Sequence, residues 1–195
     1  MTVNTATPDY IVDGVLTDGE AWVALASTVV SGASTALITF ESTTGANAWS
    51  QYMDLVLVHY TKVNNASSGM NSLRGKFNTS SSNFFFQEFV GNGSTAYADK
   101  STYFKLGSVT NNTPADTFTA GWTTFSDINS GKFKAFQTYT SNVAHANFYV
   151  VEEHVGVWEQ TAAITRIDVY EGNNYNFTAG SRFDLYGVLP RMVTA

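Results

Sequence analysis

The chain has 195 residues, of which 44% are hydrophobic and 14% aromatic, while only 13% are charged and the net charge is −6. Many rings and few charges exclude a disordered polymer, scattered basic residues exclude nucleic acid as a main partner, and the absence of cysteine excludes disulfides, thiolate zinc sites and cysteine nucleophiles. A charged share about half the usual ~25% leaves a surface built from Asn, Ser and Thr, or one partly covered by neighbouring subunits.

Residues 1–20, MTVNTATPDYIVDGVLTDGE, are acidic and turn-rich, with Pro8, Gly14 and Gly19 and only short YIV and VL runs. They read as an N-terminal arm reaching a neighbour or as an edge strand. They hold no basic region followed by an apolar run, and no window of the chain approaches 18 uncharged apolar residues. The expectation is a chain made in a cytosol and soluble there, with no membrane partner.

From residue 21 onward, apolar residues recur at period two or in short β-branched and aromatic runs, which is the signature of strands. The pattern predicts strands over 21–30, 34–40, 52–61, 72–78, 83–90, 102–109, 116–125, 132–140, 146–151, 163–170 and 182–188. SSG at 67–69, GNGS at 91–94, TNNTP at 110–114, NSG at 129–131 and EGNN at 171–174 supply the turns. Strands at this spacing predict an all-β fold, a single jelly-roll-like β-sandwich of about ten antiparallel strands over 21–189. Pro190 is unsuited to a central strand, so 190–195 reads as a short surface tail.

Alternation also predicts faces. In YMDLVLVHY, Met53, Leu55, Leu57 and His59 share one side, and Tyr52, Asp54, Val56, Val58 and Tyr60 share a semi-polar one. In RFDLYGV, Phe183, Leu185 and Gly187 oppose Arg182, Asp184, Tyr186 and Val188.

Catalytic chemistry finds little to stand on. Of His59, His145 and His154, only His154 follows carboxylates, Glu152 and Glu153, and of these Glu152 alone shares its strand face. Without a third marked ligand, the segment reads as a solvated strand end. The serines lie in turn-like clusters such as 78–83, with no G-x-S-x-G elbow. GMNSLRGKF misses the phosphate-loop spacing by one residue and has Phe77 where a hydroxyl would bind magnesium. None of the 16 acidic residues nominates a glycosidase pair. Five N-x-[ST] matches, at Asn65, Asn78, Asn92, Asn111 and Asn176, read as loop composition.

The aromatic excess is more informative: 14 Phe, 10 Tyr and 4 Trp, with Trp22, Trp49, Trp122 and Trp158 spread along the chain. Tyr97, Tyr103, Tyr139, Tyr170 and Tyr175 lie near polar turns. Exposed rings beside Asn and Asp stack on sugars, whereas buried rings fill a core or subunit interface, and core or interface is the expectation for any single ring.

The last third, VWEQTAAITRIDVYEGNNYNFTAGSRFDLYGV, resembles a closing pattern of tailed-bacteriophage virion proteins. It combines a Trp (Trp158), AAIT-x-I (Ala162 to Ile167), NF-x-x-GS (Asn176, Phe177, Gly180, Ser181) and F-x-LYG (Phe183, Leu185, Tyr186, Gly187). STVVSGASTALITFE followed by YMDLVLVHY is similar to the same family's opening, so the resemblance covers about half the chain. The departure is the VLPRMVTA that follows the final glycine.

The resemblance implies a β-sandwich used on phage heads and tails, located in the virion, assembled in the host bacterial cytoplasm, and without catalytic or metal residues or a cofactor. Its implied partners are other virion proteins, either the major capsid protein or tail proteins, with a homotrimer as the expected state. The leading expectation is a capsid decoration or cement protein. The alternative is a tail- or head-fibre module that recognises host-surface glycans.

Overall fold

The computed structural model describes residues 11–12, 15–16, 22–32, 35–44, 48–67, 69–111, 117–145 and 148–189. Near the N-terminus, β1 (Ile11–Val12) pairs antiparallel with β2 (Val15–Leu16). The rest of the expected arm and the expected tail at 190–195 lie outside the described residues.

The remaining strands are β3 (Trp22–Val29), β4 (Leu37–Glu41), β5 (Asp54–Thr61), β6 (Met70–Phe77), β7 (Phe84–Gly91), β8 (Ala96–Ser101), β9 (Lys105–Thr110), β10 (Thr119–Ser126), β11 (Lys134–His145), β12 (Phe148–Trp158), β13 (Arg166–Glu171) and β14 (Arg182–Val188). They form an eight-stranded sheet, β3-β14-β5-β10-β11-β12-β7-β8, and a four-stranded sheet, β4-β13-β6-β9, with antiparallel neighbours throughout.

Without the hairpins β7–β8 and β11–β12, the sheets become β3-β14-β5-β10 and β4-β13-β6-β9. The chain then crosses between sheets at each step except β6 to β9, which are neighbours. That is the double Greek key of a jelly roll. The two hairpins are insertions that widen the larger sheet beyond β10.

Local sequence accounts for these strands. In β7, Phe84, Phe86, Glu88 and Val90 are buried while Phe85, Gln87 and Phe89 are exposed, a period-two alternation. In β14, Phe183, Leu185 and Gly187 are buried, as the alternation predicts. Between the sheets, Phe77 meets Phe104 at 4.7 Å, Phe125 at 5.3 Å and Trp158 at 5.4 Å between ring centroids. Each such ring contributes roughly 1.5–3 kcal/mol by leaving water, so this cluster clamps the sheets together.

Every residue of β9 is buried, because this strand of the smaller sheet packs across the inner face of β10, β11 and β12. Gly107 makes the close approach possible: its φ is +110°, and a Cβ there would lie 2.4 Å from the Thr140 side chain.

Three expectations need correction. The strand expected at 146–151 runs instead to Trp158, and Glu152 and His154 are buried at 2% and 0% exposure, so the segment is no solvated strand end. Residues 102–104 belong to no strand, whereas 96–101 form β8, an edge strand whose side chains are almost all exposed. Met53 lies before β5 and is exposed, so the apolar face of that strand starts at Leu55.

Candidate functional site

Three places hold the side chains that chemistry or recognition would use. The first is the closing segment. Trp158 ends β12 inside the aromatic core. Asn176 N–H donates to the Asn64 side chain at 3.1 Å, and the Asn176 carbonyl accepts from Asn64 N–H at 2.9 Å. Phe177 is fully buried, donates its N–H to the Thr35 carbonyl at 2.8 Å, and sets its ring edge-on against Phe183 at 4.9 Å. Gly180 has φ +88° and donates to the Val30 carbonyl at 2.8 Å. Ser181 is fully buried against Lys62. Leu185 and Gly187 face inward, and Tyr186 faces outward beside Trp22 at 6.0 Å. The motif therefore joins the ends of β3 and β5 to β14, and its contacts are those of a structural clasp.

The second place is a buried ionic cluster under β9. Glu88 on β7 and Glu152 and His154 on β12 point inward from the larger sheet to meet Lys105 of β9. Lys105 Nζ donates to Glu88 Oε2 at 2.5 Å and lies 3.8 Å from Glu152 Oε1. Glu152 also accepts from Ser108 N–H and Ser108 Oγ, each at 2.6 Å, and from Thr140 Oγ1 at 3.0 Å.

His154 lies between the carboxylates, with Nδ1 3.4 Å from Glu88 and Nε2 3.5 Å from Glu152. Neither nitrogen meets hydrogen-bond geometry, so these are charge and dipole contacts. Burial works to raise the Glu152 pKa, but the His154 ring, the Lys105 ammonium and Ser108 outweigh it and bring it down to about 2. Burial likewise works to lower Lys105, yet Glu152 and Glu88 hold its pKa above the ordinary value. Nearby, His59 is buried against Phe183, and burial lowers its pKa to about 4.

Among the described residues, no group of three or more His, Asp or Glu is placed to hold a metal ion, and the Lys105 ammonium occupies the centre of the cluster. The cluster holds itself together. The sequence offered one clue to it: Glu152, His154, Gly156 and Trp158 share a face, and a Trp in phase with a Glu and a His marks that face as buried.

The chain matches no protein-family model, no curated protein and no solved structure.

The third place is the outer face of the larger sheet, where large apolar side chains stand in water. Phe85, Phe89, Trp122, Tyr139, Val151 and Val155 are all more than a third exposed. A groove of about 670 Å³ lies over Phe85, Gln87, Lys100, Val155 and Val157 at the β7–β8–β12 end. Further across, Trp122 and Tyr139 are opposite each other on β10 and β11, with ring centroids 5.5 Å apart and planes within 27°. Gln137 Nε2 donates to Tyr139 Oη at 2.6 Å and to Glu153 Oε1 at 3.0 Å, and Tyr139 Oη donates to the same carboxylate oxygen at 2.9 Å.

Of the tryptophans, Trp49 and Trp158 serve the core, whereas Trp22 and Trp122 are exposed. Tyr97, Tyr139 and Tyr175 are exposed as well. Tyr103 lies under the Arg74 guanidinium at 4.1 Å, and Tyr170 is 4.9 Å from the Lys76 ammonium.

Proposed function

We propose that this chain is a non-enzymatic structural protein of a tailed-bacteriophage virion, acting as a capsid decoration or cement protein that binds across capsomers. One observation carries the reading: the outer face of the inserted hairpins exposes Phe85 and Val155 around an open apolar groove that Val157 also lines. Exposed apolar patches of this kind mark protein contacts. A low surface charge and the resemblance of the closing segment to phage virion modules support the same role. The densest group of ionisable side chains, Glu88, Glu152, His154 and Lys105, is turned into the sandwich, where the Lys105 ammonium bonds Glu88 and lies beside Glu152, which supports a surface that works by burial. A homotrimer suits the three-fold positions of a capsid lattice.

The second reading is a tail- or head-fibre module that binds host glycans, and the exposed Trp122–Tyr139 pair favours it. Copy number in purified particles separates the two. A decoration protein is present in hundreds of copies and its removal lowers the temperature at which heads burst. A fibre module is present in few copies, and finding this would overturn the decoration reading.

A further inference from the structure

We propose that the outer face around Trp122, Tyr139 and Glu153 is a binding site for a neutral glycan, a chain of hexose or N-acetylhexosamine units. The inference deepens the second functional reading and rests on it for its biological use, while its physical basis is local. Trp122 and Tyr139 stand near-parallel on neighbouring strands and remain 44% and 38% exposed. Such rings offer a flat apolar surface to the C–H face of a pyranose.

Beside the rings, the polar groups are already fixed. Gln137 and Tyr139 both bond Glu153 Oε1, which holds the carboxylate in one orientation and leaves Oε2 without a hydrogen bond among the described residues. A fixed carboxylate oxygen next to an aromatic plane accepts from the hydroxyl rim of a sugar lying on that plane. Ala120, Gly121 and Ser141 keep the floor of the adjoining recess low, and Val151 bounds it. Its volume of about 420 Å³ falls within the roughly 300–1,000 Å³ of small-ligand clefts.

Charge selects the class of glycan. Among the outward positions of the eight strands, the cations are Arg182, already paired with Asp184 at 2.7 Å, and Lys100 on the far edge strand. An acidic sugar, a phosphate or a sulfate would meet the Glu153 carboxylate with no cation beside it. An apolar protein partner would also have to desolvate that carboxylate, at considerable cost, whereas hydroxyls replace its water directly. The Phe85 groove lacks such a carboxylate and is the better protein surface.

The test uses the purified full chain with maltohexaose, cellohexaose and chitohexaose as neutral probes and oligogalacturonate as the acidic one, followed by calorimetry and NMR titration. At least one neutral probe should bind and the acidic one should not. Trp122→Ala should weaken binding by about tenfold or more, Glu153→Gln and Tyr139→Phe should each weaken it measurably, and Phe85→Ala should leave it unchanged. Glu153→Gln and Tyr139→Phe are conservative changes at residues that are not buried, and they read the site even where Trp122→Ala lowers stability. Failure of all neutral probes, preference for the acidic probe, or binding insensitive to Trp122 and Glu153 would overturn the proposal. Copy number in purified particles, measured in parallel, reports on the fibre reading independently: hundreds of copies would remove that reading while leaving sugar binding by the purified chain intact.

Discussion

The Oγ of Ser181 makes a two-way link to the backbone of Lys62: it accepts from the Lys62 N–H at 3.1 Å and donates to the Lys62 carbonyl at 3.1 Å. Both residues are buried. One hydroxyl therefore satisfies the main chain where β5 ends and ties it to the start of β14. Ser181→Ala removes both bonds: the Lys62 carbonyl keeps the Thr178 N–H, which donates to it at 2.9 Å, but the Lys62 N–H loses its Ser181 acceptor in a buried position. The expected loss is about 1–3 kcal/mol, read as a lower denaturation midpoint with an unchanged denaturant slope. Unaltered stability would show that the link is dispensable.

Gly187 is required for a different reason. It faces inward on β14, and a Cβ built there would come within 2.5 Å of the Tyr52 ring, itself buried. Gly187→Ala should cost about 1–3 kcal/mol through overpacking. Tyr52→Leu should recover part of that loss in the double variant, so the two changes should be non-additive. Purely additive effects in thermal melts would remove the ring contact as the cause.

The extent of β14 was legible in the sequence to the residue, because Phe183, Leu185 and Gly187 alternate cleanly with more polar neighbours and a Gly-Ser turn precedes them. The jelly-roll class was legible for the same reason: strand spacing and turn chemistry are local. What escaped was non-local. β8, with the sequence AYADKS, is exposed along nearly its whole length and needs no apolar face, since its charges protect a sheet edge. In β12, the inward positions carry Glu152 and His154, and only the arrival of Lys105 from β9 makes their burial tolerable. No periodicity within one strand reports a partner on another. The clasp residues of the closing segment were visible as a motif, whereas the Trp122–Tyr139–Glu153 arrangement spans three strands whose order the sequence does not state.

The buried ionisable groups predict how stability depends on pH. His59 has a folded pKa of about 4 against roughly 6.5 unfolded. Between these values the unfolded chain binds the extra proton, so stability falls as pH drops from 6.5 through 4, by about 3 kcal/mol in total. Glu152 has a folded pKa of about 2 against 4.5 for the ordinary group. Its contribution is therefore fully present above pH 4.5 and is lost as pH falls toward 2. His59→Gln should flatten the upper part of the profile, while the stability gap between wild type and Glu152→Gln should narrow below pH 4.5. Chemical denaturation at half-unit pH steps checks both, and a wild-type profile flat from pH 7 to 4 would refute the His59 assignment.

The groove beside Phe85 carries the last prediction. Phe85 lies on the outer face of β7, across from Val157 of β12, and is 46% exposed. A charge there costs the isolated fold little, because surface substitutions away from buried features usually stay within about 0.5 kcal/mol. In an assembled particle the same charge would be buried against an apolar contact. Phe85→Asp should therefore leave the melting temperature nearly unchanged while weakening retention on heads by roughly 2 kcal/mol, about thirtyfold. Co-sedimentation of the purified variant with stripped particles measures it, with Trp122→Ala as the control that should still be retained. Wild-type retention of Phe85→Asp would remove this groove as the docking surface. Loss of retention in Trp122→Ala alone would move docking to the ring pair on β10 and β11.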